Sequence, residues 1–333
     1  MEFPVKVAIS GIAVVEGKGP SFSRKTPVYD IMVHMKHDVT YIDRATGERV
    51  VESVMGDGAL RFAYETLLGR TLWPVLFGSK IISAIMGAYY DSPRSRSAIP
   101  SLAAIPGCRA DEAEKPMDEY ASFNAFFTRR LKPGSRPQGE GFTSPSDGRL
   151  MLYLGADADK PFPLKGATRS LRELVGPDNA PDMTSGLYDI AVVRLAPVDY
   201  HRFHFPCDCE TPEPPLVIPG KYHSVNPIAL LRHPDVYADN EREVVACDAS
   251  FGRFWQIDVG AFGVGTIVQT FSGLKHLKGD ERGYFKFGGS TVVVVTRAGA
   301  LKFDDDIVAN SAAGTETRVL CGERVAEVAA TRE

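Results

Sequence analysis

Ser290 follows two glycines, Gly288 and Gly289, and leads through Thr291 into four consecutive valines, Val292 to Val295. A hydroxyl in this position is a candidate for attack on its own backbone, because Gly289 has no Cβ to shield its carbonyl and tolerates unusual φ and ψ. Taken alone, Gly288-Gly289-Ser290-Thr291 is a glycine turn entering a strand. Two other segments change that reading: Ser144-Pro145-Ser146-Asp147-Gly148 and Asp199-Tyr200-His201-Arg202-Phe203-His204. A serine is a weak nucleophile until a base takes its proton, and a histidine in that role needs a carboxylate to hold its tautomer. Asp147, His201, His204 and Ser290 supply these types, in a chain order that such geometry-defined sets allow. His201 and His204 are three apart, so a helical turn would face both to one site and a strand would part them. A satisfied surface histidine beside Arg202 is the other reading of either.

The same stretch invites a metal reading through His201, His204, Cys207 and Cys209. Cys-x-Cys is shorter than ordinary zinc-site spacing, no second ligand pair follows, and a metal on His204 would remove the base, so no metal is expected. Arg129, Arg130, Lys132 and Arg136 cluster near an expected helix end. They suit a substrate phosphate, and they equally suit the negative end of a helix dipole.

The elements that must position these residues differ along the chain. Residues 1–55 carry short strands, with Thr46-Gly47 joining Val39–Ile42 to Val50–Val54. From Gly58 to Tyr90 the spacing of Leu60, Tyr64, Leu67 and Leu68 predicts two or three helices, broken or kinked at Pro74. Asp91 to Pro116 is polar and Pro-bearing and reads as a connection, with local packing by Ile99 to Ile105. Ser122 caps a predicted helix carrying Phe123, Phe126, Phe127 and Leu131, which stops before Pro133-Gly134. From about 143 onward β-rich runs such as Ile190–Leu195, Phe254–Val259 and Thr291–Val295 alternate with Gly and Pro clusters. The expectation is an α+β protein: an N-terminal helical region, 1–115, then a β-rich catalytic domain, 116–333, with Ser290 entering a strand.

Bulk properties exclude some functions. A net charge of -4 over 333 residues argues against a general nucleic-acid binder. Five scattered cysteines, an odd number, fit a reducing compartment. Val7 to Val15 reads as a strand rather than a signal peptide. No apolar run reaches the ~18 residues a spanning helix needs, since Arg70 and Lys80 interrupt the best candidate. Leu72–Phe77 and Ile81–Tyr90 are uncharged and flanked by Arg61, Arg70, Arg94 and Arg96, which fits either a buried helical hairpin or segments lying on a membrane.

These motifs, in this order, resemble phosphatidylserine decarboxylase proenzymes, a pyruvoyl-dependent family that cuts its own backbone. The resemblance also covers Ser122-Phe123-Asn124-Ala125-Phe126-Phe127, Leu131-Lys132-Pro133-Gly134, Lys165-Gly166, Ser224-Val225-Asn226-Pro227, Asn240-Glu241-Arg242 and, before the cut, Lys278-Gly279, Gly283 and Phe287. It implies that Ser290 attacks the Gly289 carbonyl, that an ester forms, and that elimination leaves a pyruvoyl group in place of Ser290. The products would be residues 1–289 and the 44 residues 290–333, which must stay associated because so short a piece cannot hold a core alone. His204 with Asp147 is implied in the cut and His201 in proton transfer during decarboxylation. Phosphatidylserine would join the pyruvoyl group as a Schiff base and leave as phosphatidylethanolamine and carbon dioxide. The implied setting is peripheral, on the cytoplasmic face of an anionic membrane, as a homo-oligomer. Two other classes stay open: a pyruvoyl decarboxylase of a soluble amino acid, and a serine hydrolase or uncleaved lipid-binding relative.

Overall fold

The computed structural model describes residues 39–52, 80–163, 167–180, 182–221, 223, 225, 234–261, 267–288 and 290–329. Val39–Glu333 form one compact unit. The first described elements are β1 (Thr40–Asp43), β2 (Arg49–Val51), α1 (Lys80–Asp91), α2 (Ile99–Ala103) and α3 (Phe123–Phe127). There follow β3 (Phe142–Thr143), β4 (Gly148–Asp157), α4 (Leu171–Val175), β5 (Leu187–Leu195), β6 (Arg202–His204), β7 (Cys209–Glu210), β8 (Leu216–Ile218) and α5 (Val236–Asp239). The last are β9 (Arg242–Ala249), β10 (Gly252–Gly260), β11 (Ile267–Gln269), β12 (Lys275–His276), β13 (Glu281–Phe285), β14 (Ser290–Arg297), β15 (Leu301–Phe303), α6 (Asp305–Ala312), β16 (Glu316–Val319) and β17 (Arg324–Val328).

The fold is α+β, with few and short helices around a large mixed sheet. Its order is β12-β7-β9-β10-β14-β5-β4-β16-β1-β2, with β8 also on β9. Pairing is antiparallel except between β1 and β16. Two small sheets, β11-β13-β6 and β15-β17-β3, flank it.

The valine run sits at the centre of this arrangement because both faces of β14 are covered, and such a strand is continuously hydrophobic rather than alternating. Val293 and Val295 join one buried cluster with Trp255, Ile257, Leu171 and Leu174. Val294 points the other way, into a cluster with Phe142, Val245, Phe254 and Ile307. Val292 packs with Leu195, Phe203 and Phe285. Each buried valine contributes at most roughly 1.5–3 kcal/mol, so the run is a major source of sheet stability.

The expected hairpin is present as β1 and β2, with Gly47 at φ 72°, a turn conformation that favours glycine. Ser122 caps α3 as the pattern predicted, its side chain accepting from the Ala125 N–H. The helix is shorter than expected, however: Thr128 ends it with Oγ1 donating to the Asn124 carbonyl, and Leu131 instead bridges to Ala113. The segment read as a connection contributes core, since Ile99, Leu102 and Ala113 are buried with Tyr120, Phe123, Phe126 and Phe127, and Phe287 packs against them. The cluster therefore crosses residue 115. The expected strand at Val7–Val15, most of the expected helices between Gly58 and Tyr90, the Leu72–Phe77 segment and Gly289 lie outside the described residues.

One ion pair joins the large sheet to β11-β13-β6. Arg282 on β13 and Asp258 on β10 are both fully buried, and Arg282 Nη1 donates to Asp258 Oδ2 at 2.7 Å while Nη2 donates to Oδ1. Gln269 on β11 donates to the same carboxylate at 2.8 Å, and the guanidinium lies over the Phe203 ring of β6 at 4.6 Å. Removing one partner would strand the other charge in the interior. Asp258→Ala is expected to lower stability by about 3–5 kcal/mol in denaturant titration. Lys275→Ala, which breaks an exposed pair with Glu210, should change it by less than about 1 kcal/mol.

Candidate active site

Ser290 is the first residue of β14, held between two strands opposite Gly260 and Leu195. Its side chain is 0% exposed. The group that meets it is His201, whose Nδ1 lies 3.1 Å from Ser290 Oγ. The other ring nitrogen, Nε2, lies 3.1 Å from the Ala196 carbonyl. A carbonyl only accepts, so Nε2 carries the proton and Nδ1 accepts from the serine hydroxyl. The imidazole stacks on Phe127 with centroids 3.9 Å apart. Burial and the nearby Arg129 cation hold the His201 pKa down to about 3, so the ring is neutral at physiological pH.

His204 faces elsewhere. It ends β6, and residues three apart on extended backbone point to opposite sides, which decides between the two arrangements left open by the spacing. Its Nδ1 donates to the Gly279 carbonyl at 2.9 Å, and its Nε2 accepts from the Tyr200 hydroxyl at 3.1 Å. Burial lowers its pKa, opposed by that carbonyl and by the charges of Glu281 and Asp147. Tyr200, whose own pKa burial raises, was not singled out by type or spacing, although it adjoins His201.

Asp147 is 3% exposed and already engaged. Its Oδ1 accepts from Arg136 Nε and from the Cys321 N–H, both at 2.8 Å, and its Oδ2 accepts from Arg136 Nη2 at 2.6 Å. The next residue, Gly148, packs closely on β5, where a Cβ would meet the Arg194 carbonyl at 2.7 Å. Pro145 accepts from the His204 N–H at 2.8 Å, so the Asp147 loop lies beside β6. No hydrogen bond among the described residues joins Asp147 or His204 to Ser290. The described residues thus bring Ser290 to His201 and Asp147 to Arg136, with no direct contact of Ser290 with His204 or Asp147.

The four basic candidates also separate. Arg130, Lys132 and Arg136 line a cavity of about 520 Å3, together with Tyr200, His204, Glu281 and Cys321. Arg136 is committed there to Asp147 and to Glu112, and Lys132 donates to the Asp111 carbonyl at 2.7 Å. Arg129 is buried away from this wall, over the Phe126 ring at 5.0 Å. Cys207 and Cys209 are buried free thiols in the second core cluster, and the described residues contain no group of three or more His, Cys, Asp or Glu arranged to hold a metal.

Asn124 ties α3 to the segment before Ser290. Its Oδ1 accepts from the Phe287 N–H at 2.9 Å and its Nδ2 donates to Asp91 at 3.0 Å. Phe287 in turn meets Tyr90, Phe123 and Phe127 with centroids 4.5–5.1 Å apart. Phe287 is thus anchored in this aromatic group, and Ser290 in the sheet.

Residues 123–327, which include Asp147, His201, His204 and Ser290, match the family model described as phosphatidylserine decarboxylase. The chain belongs to the phosphatidylserine decarboxylase family. It is 39% identical over 289 residues to the phosphatidylserine decarboxylase proenzyme of Ruminiclostridium cellulolyticum, covering 85% of this chain and 95% of that protein. It is 38% identical over 288 residues to the proenzyme of Chlamydia pneumoniae, with 85% and 95% covered. A Clostridium botulinum proenzyme is 39% identical over 293 residues, with 85% and 97% covered. Within the phosphatidylserine decarboxylase fold, the contact between His201 and Ser290 is the one direct link between a base and the serine among the described residues.

A pH dependence follows from that contact. With the His201 pKa lower in the folded than in the unfolded chain, the unfolded state binds more protons between about pH 6.5 and 3. Stability therefore falls as pH drops through this window. His201→Gln is expected to cost stability at pH 7, and the gap to the unsubstituted protein should narrow by about 2 kcal/mol at pH 5. Denaturant midpoints at the two pH values measure this, and a constant gap would show that His201 is not held neutral.

Proposed function

We propose that this member of the family is a self-cleaving, pyruvoyl-dependent enzyme that converts phosphatidylserine to phosphatidylethanolamine and carbon dioxide. The observation that carries the reading is Ser290 itself, buried at the start of β14 with its hydroxyl on a neutral imidazole of fixed tautomer. The relatives named above, each called a phosphatidylserine decarboxylase proenzyme, support the substrate and the existence of a precursor.

The surroundings of position 290 fit a pyruvoyl group. A pyruvoyl group made from Ser290 has fewer side-chain atoms than the serine, needs no further space, and would lie against His201 between β5 and β10. Such a group supplies a conjugated carbonyl that accepts electrons from an amino-acid substrate as carbon dioxide departs. His201 is placed to hold or move a proton at that position, and its neutrality suits a group that must gain one. His204 lies in the field of Asp147 and Glu281, whose charges favour a bound proton, and it takes the Ser290 proton during the cut. Catalytic hydrogen bonds are often formed only as the reaction begins, so the present Tyr200 contact is compatible with that role. The cavity lined by Arg130, Lys132 and Arg136 suits the phosphate of the head group.

Peripheral attachment to the cytoplasmic face of an anionic membrane completes the proposal. No helix of the described residues is long and apolar enough to cross a membrane. α1 exposes Ile85 and Tyr89, side chains that suit an interface.

Mass spectrometry of the purified protein tests the central claim. Two chains are expected, the downstream one blocked to Edman sequencing, and a single intact chain of 36.3 kDa would sink it. Ser290→Ala and His204→Ala are expected to stay uncut. His201→Ala is expected to be cut yet to lose at least about 100-fold in turnover. An uncut His201→Ala chain would transfer the role of base to the histidine that touches the serine.

A further inference from the structure

Five arginines are buried among the described residues: Arg129, Arg149, Arg194, Arg242 and Arg282. Four have acceptors that account for their burial. Arg149 meets Asp199 and Glu52, Arg194 meets Glu52 and Glu316, Arg282 meets Asp258, and Arg242 donates to backbone carbonyls including Leu174 and Glu173. Arg129 is different. It is 2% exposed, its Nε and Nη1 have no hydrogen-bond partner, and its Nη2 reaches only Cys108 Sγ at 4.0 Å. Cys108 brings no charge, because burial raises its thiol pKa. The Phe126 ring at 5.0 Å gives it a cation–π contact but no anion, which leaves a desolvation cost that an arriving anion would offset.

The position of Arg129 indicates what arrives. It lies two residues beyond Phe127, whose ring stacks on His201 and also packs on Phe287. Its charge acts on His201, which holds Ser290 Oγ. The guanidinium thus lies close enough to His201 for its charge to act there, and off the cavity wall formed by Arg130, Lys132 and Arg136.

We infer that Arg129 is a carboxylate-binding residue of the reaction centre, kept vacant in the uncut chain. The inference rests on the proposed self-cleavage and decarboxylation, which bring a carboxylate to position 290 from two sources. In the cut, Ser290 Oγ bonds to the Gly289 carbonyl carbon as the C–N bond breaks and the nitrogen takes a proton. Loss of the residue 290 Cα proton then breaks the Cβ–Oγ bond, and Oγ departs with its electron pair as part of a new carboxylate at the end of residue 289. The resulting enamine becomes an imine, and water converts it to the ketone with release of ammonia. The second source is the substrate, whose carboxylate shares a carbon with the amine that must reach position 290, whereas its phosphate is several bonds farther away. A guanidinium is a matched partner for either carboxylate. Holding the substrate carboxylate tightly would also oppose loss of carbon dioxide, while a chain carboxylate is a permanent partner.

Arg129→Met separates the possibilities when made in the uncut Ser290→Ala chain and in the otherwise unsubstituted chain. In the uncut chain it removes an unpaired charge, and the melting temperature is expected to rise by about 2 °C or more. In the processed enzyme a fall in melting temperature identifies the chain carboxylate as the partner. A rise in both forms, with KM for phosphatidylserine in mixed micelles increased at least about 10-fold and partly restored by Arg129→Lys, identifies the substrate carboxylate. An Arg129→Met chain that unfolds or melts lower in the uncut form overturns the proposal, as does a rise in both forms with unchanged KM. If the unsubstituted chain is never cut, the self-cleavage reading fails. The uncut-chain melting temperature still decides whether Arg129 is an unpaired buried charge, because that measurement needs no cut.

Discussion

The contact between Arg282 and Asp258 is the interaction on which the placement of the site depends. Two opposite charges have left water altogether, at a desolvation cost of several kcal/mol each, and only a two-bond geometry with added hydrogen bonds offsets it. The pair gives the molecule a fixed relation between sheets. Asp258 lies opposite Val292, two residues into the strand that Ser290 begins, and Arg282 lies beside Phe203 in the strand that ends at His204. A slip of either sheet would break the pair before it disturbed much apolar area. Hydrophobic packing alone is less directional.

Electrostatics then differentiate groups that the sequence presents as equivalents. Two histidines three residues apart fall into different fields: one beside Arg129 and against Phe127, the other among Gly279, Glu281 and Asp147. Both are depressed by burial; Arg129 adds to the depression of the first, whereas Glu281 and Asp147 oppose that of the second. The basic residues between 129 and 136 divide similarly, three toward a cavity and one into the interior. Their roles follow from their surroundings rather than from residue type.

Local features were legible in the sequence. The valine run, the Ser122 cap and the Gly47 turn each rest on interactions among residues close in the chain or on a hydrophobic pattern that survives any topology. The entry of Ser290 into a strand was legible for the same reason. What the sequence left undecided depended on distant partners. Whether His201 or His204 meets Ser290 turns on the path of β6, and the engagement of Asp147 by Arg136 joins residues from separate loops. Local packing by Ile99 to Ile105 was legible, but the union of Ile99 and Leu102 with Phe123, Phe126 and Phe127 in one core was not. Likewise, the early end of α3 comes from Thr128 bonding back to Asn124, a competition that periodicity does not record.

The double pairing of β14 changes what unfolding would mean for a processed molecule. Before a cut between 289 and 290, unfolding is a property of one chain, and refolding needs only that chain. Afterward the same strand would be an inserted piece of a separate polypeptide, held by β5 and β10 along its length. Unfolding would release two bodies that must find each other again. Its midpoint would then depend on protein concentration, and dilution would act as a denaturant. Such an enzyme is assembled once, as a single chain, and owes its later persistence to slow escape from a strand position that is difficult to refill.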